Sequence, residues 1–410
     1  MTRREVDTPL QPCHPILVES MLRIVGVMTG SSLDGLDAAL IRWNPEHPER
    51  RPELLGTFGR GLGASGGTLI SLARGEGVDA EAIARARVDF AMAHADAVRS
   101  LCGDSAPDLV AMAGQTVHHA PPFSWQFAPP SLIAAELGCP VVADLRAADI
   151  AAGGNGAPIT PLGDAALFSS ESESVAVVNL GGFINVTLLP AGCGPLRPAA
   201  IRGFDVCACN HLLNGLARRA VEEEYDHDGQ LALTGRIDEA LLAHLQILLD
   251  AQASAARSLG SGDELHEAMD LLADHASAAD LLRTACRAIA KVTASRVPEE
   301  IDRVYIAGGS AHNAALMHEL RHAISCTVET TESAGIPVGS REAAIIALLG
   351  AWSAAGWSIT LPEVTGRRPG VCRSGLWAFP YAEDRVVVPA FETACIGGGA
   401  PRCSASDTDA

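Results

Sequence analysis

The chain has 410 residues, a formal charge of −19, and 48% apolar against 19% charged residues. That length allows two or three domains with large cores. The acidity argues against sequence-independent nucleic-acid binding, which needs clustered Lys and Arg. No apolar run reaches the ~18 residues of a membrane span, and Met1–Ser20 lacks the apolar stretch of a secretory signal. The 11 scattered cysteines fit reduced thiols in a cytosol. Cys207 and Cys209 have no second Cys/His pair at ligand spacing, so zinc is not expected. Residues 1–20 and 391–410 read as a disordered extension and a disordered tail.

Two apolar runs, Leu22–Met28 and Leu36–Trp43, flank the small-residue break Thr29–Gly35 and predict a hairpin. Val78–Leu101 has helical spacing. Asp108–Ala113 reads as a buried strand, Pro129–Leu137 as a short helix and Pro140–Ala143 as another strand. Gly153–Pro158 is a loop rich in turn formers, too flexible for a regular element. A second hairpin follows at 175–189, broken at Gly181-Gly182-Phe183. Helices are expected around 210–222, 237–254 and 277–295. A strand at 303–307 leads through Gly308-Gly309-Ser310 to a further helix, and Glu342–Ala354 forms one more. The order hairpin, helix, strand, helix occurs twice, which implies two similar α/β domains with a ligand cleft between them.

Glycines in the two hairpin turns let backbone N–H groups approach an anion, and two such loops facing each other suit a polyphosphate. So acidic a chain must hold an anionic substrate through local dipoles and a metal ion. Asp34 reads as a turn residue. Asp37 has two readings, turn chemistry or a place in a Mg²⁺ shell through water. Asn179 and Asn185 either serve the ligand or bond the hairpin backbone. Gly308 and Gly309 fit close approach to a nucleoside or an ordinary strand-to-helix turn, with Asn313 near the helix start. Gln115 and Thr116 suit hydroxyl recognition, and the pair His118-His119 is either a sugar contact or a core-satisfying turn.

Several blocks, in order, resemble the anhydro-N-acetylmuramic acid kinases of the actin–hexokinase superfamily. Gly26-Val27-Met28-Thr29-Gly30-Ser31-Ser32-Leu33-Asp34-Gly35-Leu36-Asp37 resembles that family's first phosphate loop. Gly114-Gln115-Thr116-Val117-His118-His119 is similar to its G-Q-T-x-x-H. Ala143-Asp144-Leu145-Arg146, with Asp149 through Pro158, is similar to its D-F-R and D-x-A-A-G-G-Q-G-A-P. Asn179–Asn185 matches N-L-G-G-x-x-N, and Gly309–Asn313 looks like G-G-A-H-N. Gly335-Ile336-Pro337 with Glu342, and Leu361–Gly366, resemble the closing blocks. Such a co-linear set over roughly residues 22–380 is far more specific than a lone glycine motif.

The resemblance implies two actin/hexokinase-like, ribonuclease H-like α/β domains flanking a deep cleft. Domain I would span 21–160, with part of 360–390 packing back on it, and domain II 161–359. It also implies an ATP- and Mg²⁺-dependent sugar kinase of the cytoplasm in peptidoglycan recycling, acting on 1,6-anhydro-N-acetylmuramic acid, without nucleic acid or membrane, as a homodimer. Asp205, which alone would read as a cap or surface residue, becomes the catalytic base, because the family's G-F-D places it there. In that family a deprotonated water opens the anhydro ring and the freed O6 takes the γ-phosphoryl group. The resemblance assigns ATP to Gly30, Ser31, Ser32, Asp34, Gly35, Asp37, Asn179, Gly181, Gly182, Gly308, Gly309 and Asn313. It assigns the sugar to Gln115, Thr116, His118, His119, Arg146, Asp149, Asn210 and Glu342.

The chain departs from the family pattern near the sugar. After Asp205 a T-G-P motif reads Val206-Cys207-Ala208, so a tight ligand loop has lost a glycine and gained bulk. Asn155 replaces a Gln, His118 an Arg, and Arg257–Gly262 keeps little of a charged K-S-T-G-R-E block. These changes motivate two alternatives: a levoglucosan-type kinase of another cyclic acceptor, and a pseudo-kinase that only binds nucleotide or sugar.

Overall fold

The computed structural model describes residues 21–30, 35–103, 105–254, 258–260, 262–266, 269, 277–370 and 374–380. The expected terminal extension and tail therefore lie outside the described residues, as do Ser31, Ser32 and Asp34.

The first hairpin forms as read, with β1 (Leu22–Thr29) antiparallel to β2 (Leu36–Trp43) and Thr29 opposite Leu36. Beyond β2 lies β3 (Glu53–Arg60). On the other side of β1 run β4 (Leu109–Met112) and β7 (Val141–Ala143), both parallel to it in sense. A short β13 (Leu376–Ala378) closes that edge, antiparallel to β7. The sheet order is β13-β7-β4-β1-β2-β3.

The second sheet repeats this plan. Its central hairpin is β8 (Val175–Leu180) with β9 (Phe183–Leu189), flanked by the antiparallel β10 (Arg202–Ala208). β11 (Arg303–Ala307) and β12 (Thr327–Thr330) extend it in parallel beyond β8. The order β10-β9-β8-β11-β12 matches β3-β2-β1-β4-β7 strand for strand. A third, two-stranded sheet pairs β5 (Gln115–Ala120) with β6 (Phe123–Phe127).

Helices cover the sheets. On the outer side of the first lie α1 (Ser65–Ala73), α2 (Ala80–Cys102) and α3 (Pro130–Leu137), packed through Leu69, Phe90 and Ile133. Asp79 caps α2, accepting from the Ala82 N–H at 2.8 Å, and its periodic face buries Ala86, Phe90 and Val98. A short α4 (Ala147–Ala151) precedes the 153–158 loop, and α5 (Pro161–Phe168) follows it, buried along its whole length. The second sheet is covered by α6 (Asn210–Val221), α7 (Gln230–Thr234), α8 (Glu239–Ala253), α9 (Ala278–Ala294) and α10 (Ala314–Ala323). Later in the chain, α11 (Arg341–Ala354) lies against β1, β2 and β4, and α12 (Pro362–Thr365) against β10.

One core contains residues of both large sheets: Ile24, Ala39 and Ala111 from the first, Val175 and Val177 from the second, with α5 and α11 between. A buried ion pair sits within it. Arg341 Nε donates to Asp164 at 2.7 Å, and Asp164 also accepts from the Thr187 hydroxyl at 2.7 Å. Such a pair fixes geometry more than it adds stability.

Candidate functional site

Strand register brings the chemistry-bearing residues together. Asn179 of β8 stands opposite Asn185 of β9, and Asn185 stands opposite Asp205 of β10. These three positions form one rung of the sheet, each strand roughly 4.8 Å from the next. The Gly181-Gly182 turn lies just beyond that rung. Past Asp205 the β9–β10 ladder shifts register before resuming at Ala208 opposite Phe183. Such a bulge re-aims nearby side chains.

The turn is locked onto the start of α6. Cys209 donates to the Gly182 carbonyl at 2.9 Å and Asn210 to the Gly181 carbonyl at 3.0 Å. The third element to reach this point is the turn after β11. Gly308 has φ +88°, and a Cβ there would stand 2.6 Å from the Leu180 carbonyl oxygen, so only glycine fits so close to β8. Asn210 accepts a hydrogen bond from the Ser310 hydroxyl, and its amide nitrogen lies 3.7 Å from where a Gly309 Cβ would be. Asn210 thus belongs spatially with the glycine turns, although the sequence suggested the sugar side. Asn313 caps α10, its side-chain Oδ1 accepting from the Leu316 N–H at 2.9 Å. Two glycine turns thus converge at the start of α6, whose first N–H groups hold the 181–182 turn in place, and glycine turns let backbone N–H groups approach an anion.

In the first hairpin, Gly30 and Gly35 flank residues outside the description. Thr29 donates to the Gly114 carbonyl at 3.2 Å, which ties the hairpin to the start of β5. Asp37 lies in β2 opposite Met28, with an oxygen 3.2 Å from the position a Gly59 Cβ would take. No cluster of three or more His, Cys, Asp or Glu suited to a metal occurs among the described residues. Phosphate-bound Mg²⁺ needs no such all-protein cage.

Asp205 lines a cavity of about 540 Å³ together with Asn155, Pro158, Phe204, Ser258, Arg296 and Val364. Burial pushes its carboxyl up to about 6, against the downward pull of the Leu259 N–H, which donates to Oδ2 at 2.8 Å, and of Arg146. Arg146 donates to the Gly156 carbonyl at 2.6 Å. Burial lowers its pKa, opposed in turn by Glu342, Asp205, Asp144 and Asp149. Glu342, at the start of α11, is pushed up by burial.

The 153–158 loop is pinned rather than loose. Asp149, fully buried, accepts from the Gly156 N–H at 2.8 Å and the Thr365 hydroxyl at 2.7 Å, and Arg367 lies 3.6 Å away. A Cβ at Gly154 would come 2.1 Å from Asp149 Oδ1. Asp149 therefore shapes the loop from within.

The histidine pair is split. His118 is exposed and His119 half-buried, because neighbouring strand positions face opposite sides. His119 has its Nδ1 3.0 Å from the Ser124 hydroxyl, and burial, then Arg146, lowers it to about 4. Thr116 donates to the Gln126 amide oxygen at 2.8 Å. Gln115 is buried, and its Oε1 has no partner among the described residues, so it can accept from a ligand hydroxyl.

The residues after Asp205 do not crowd the cavity. Cys207, Ala208 and Cys209 are fully buried in the apolar core under α6, and Cys207 does not adopt a positive φ. The expected bulk at the ligand is absorbed by the core. Sequence reasoning missed Gln252, Arg296 and the strand that carries Asp205. Gln252 at the end of α8 breaks an apolar helical face, which was its one signal.

These features define an α/β protein of duplicated sheet topology, with two converging glycine turns beside a half-buried carboxylate. Residues 22–375 match the family model of anhydro-N-acetylmuramic acid kinase, and the chain belongs to that family. It is 35% identical over 380 residues to the anhydro-N-acetylmuramic acid kinase of Chromohalobacter salexigens, covering 86% of this chain and 99% of the relative. It is 34% identical to that of Bordetella avium, covering 84% and 93%. Among solved structures, a ROK family glucokinase from Streptomyces griseus in complex with glucose and AMPPNP aligns at TM-score 0.40 and 16% identity, covering 80% of this chain and 99% of that one. That overlap is too loose to argue from. As a member of its family the chain is an ATP-using sugar kinase. No helix among the described residues is long and apolar enough to cross a membrane.

Proposed function

We propose that the protein phosphorylates 1,6-anhydro-N-acetylmuramic acid, opening the anhydro ring as it transfers the γ-phosphoryl group of ATP to O6. The observation that carries this reading is Asp205, a partly buried carboxylate on the cavity wall, one rung along from the glycine turn. Its pKa of about 6 leaves it ionised yet basic near neutral pH, which suits a general base. Asp205 takes a proton from water, that water attacks the anomeric carbon, and the C1–O6 bond breaks toward O6. The freed O6 attacks the γ-phosphorus, and ADP leaves.

The glycine turns at 181–182 and 308–309, with the start of α6, position the phosphates, and the first hairpin closes on them from the other domain. Asp37 would reach the water shell of a Mg²⁺ ion held on those phosphates, which would supply charge neutralisation during transfer. Arg146, His119, Gln115 and Glu342 face the sugar, while Asp149 and Thr365 hold the loop they work from. The family resemblance further supports a homodimer acting in the cytoplasm, and light scattering checks the assembly.

The test is an ATP-to-ADP assay with Mg²⁺ in ¹⁸O-labelled water. One ADP should form per sugar consumed, with a single ¹⁸O at C1 of the 6-phosphate product. Turnover on levoglucosan but not on the muramic sugar would overturn the acceptor. Tight nucleotide binding without turnover on any anhydro sugar would overturn the enzyme.

A further inference from the structure

Asp205 is gripped from outside its own sheet, by a segment that the reaction scheme does not use. The backbone N–H of Leu259 donates to Asp205 Oδ2 at 2.8 Å. The adjacent Ser258 hydroxyl donates to the Ala157 carbonyl in the pinned loop at 3.2 Å. A Cβ on the next residue, Gly260, would stand 3.4 Å from the His119 carbonyl oxygen. Three consecutive residues therefore touch the base, the loop and the β5–β6 hairpin. Gly260 and Asp263 close a turn behind them, with Gly260 N–H to Asp263 Oδ2 at 2.9 Å and Asp263 N–H to the Gly260 carbonyl at 3.0 Å.

Gln252 ties this strap to the strand that bears the base. Its Oε1 accepts from the Ala208 N–H at 2.9 Å, and its Nε2 donates to the Asp263 carbonyl at 2.6 Å. Both partners are backbone groups of fixed polarity, so the amide has one satisfactory orientation. Ala208 is the residue at which the β9–β10 ladder resumes after the irregularity that follows Asp205. One side chain thus bridges the two ends of the assembly that aims the carboxylate.

We infer that Gln252 and the Ser258–Gly260 strap form a clamp that positions Asp205, holding Oδ2 on the Leu259 N–H so that Oδ1 is the oxygen offered to the attacking water. No donor among the described residues reaches Oδ1. Leu259 and Gln252 are positioning residues, because neither is placed against the reacting atoms. The inference rests on Asp205 being the base. The charged groups facing the carboxylate are Arg146 from the α4 side, Asp263 from the strap, and Arg296 across the cavity. Of these the clamp moves only Asp263.

The sign of the effect follows from the bond. The Leu259 N–H stabilises the ionised carboxylate, so removing it raises the pKa of Asp205. Leu259→Pro deletes that donor and leaves the cavity side chains in place. Gln252→Leu releases the strap while leaving the donor on the chain, and covers the case in which the proline variant fails to fold. The direct reading is a ¹³C NMR titration of the Asp205 carboxyl in the full-length protein, which does not depend on turnover. A midpoint displaced upward by about one pH unit in Leu259→Pro, and by less in Gln252→Leu, is expected. The acid limb of kcat/KM should move by the same amount, with KM for ATP unchanged. An unmoved carboxyl titration in both variants overturns the clamp, even where turnover falls. Absence of turnover by the unmodified protein, with the titration displaced, overturns the proposed activity and leaves the clamp standing.

Discussion

The two sides of the site are built from different materials. The wall proposed for the nucleotide is mainly backbone: glycine turns at 181–182 and 308–309 packed against each other and against the start of α6, with Asn210 and Ser310 bracing them. The wall proposed for the sugar is side chain propped on side chain. Arg146 holds the Gly156 carbonyl, Asp149 holds the same loop from beneath, and Thr365 and Arg367 hold Asp149. Backbone cradles recognise what every phosphate shares, whereas propped side chains can be exchanged singly. Of the departures from the family pattern, Asn155 falls on the second kind of wall, whereas Cys207 and Ala208 lie in the core under α6.

Asp205→Asn should have the largest effect on activity. Loss of a general base lowers kcat by about 10²–10⁴-fold while nucleotide affinity, measured by calorimetry, stays near normal. Unmodified activity should fall away below about pH 6, as the carboxyl takes up its proton. Stability runs in the opposite sense. The folded carboxyl titrates near 6 and the unfolded one near 4, so the folded state loses stability as pH rises through that window. The Asn variant escapes this loss, and should melt slightly higher than the unmodified protein above pH 6.

Asp149→Ala tests the propped wall. It leaves the buried Arg367 without its carboxylate, and breaking such a pair costs about 3–5 kcal/mol, readable by urea unfolding. KM for the sugar should rise with KM for ATP unchanged, and an equal rise in both would erase the distinction between the walls. Gly308→Ala is the counterpart on the other wall. Its Cβ meets the Leu180 backbone at a positive φ, so a strain of about 1–3 kcal/mol should raise KM for ATP and spare KM for the sugar. The smallest effect on turnover belongs to Cys207→Gly. Because Cys207 packs in the core, restoring the family's glycine should cost about 1–2 kcal/mol of stability and change kcat little. A tenfold gain in kcat would mean the cysteine obstructs the site after all.

Much of this was readable from the sequence. The hairpins at 22–43 and 175–189, the helices 80–102 and 278–294, and the strand 303–307 all carry clean periodicity or apolar runs bounded by turn formers. Several strands carry neither. β3 is largely exposed and contains Gly56 and Gly59, β5 and β6 are rich in polar residues, and Gly203 and Asp205 interrupt β10. The α5 helix is buried on every side, so it shows no polar face from which a period could be read. The site was legible in its glycines and in Asp205 through the motif resemblance. The splitting of the histidine pair, and the burial of Cys207, depended on strand alternation and register that no local pattern specifies.

The shared rung of Asn179, Asn185 and Asp205 makes the length of β9 a chemical parameter. Deleting a single residue between Phe183 and Asn185 would draw that position one step along the ladder and turn the following side chains to the opposite face. The Gly181-Gly182 turn would then stand out of step with the carboxylate on the neighbouring β10. Substitution can retune the acceptor wall piecemeal, but insertion or deletion in this one strand would uncouple phosphate from base at a stroke.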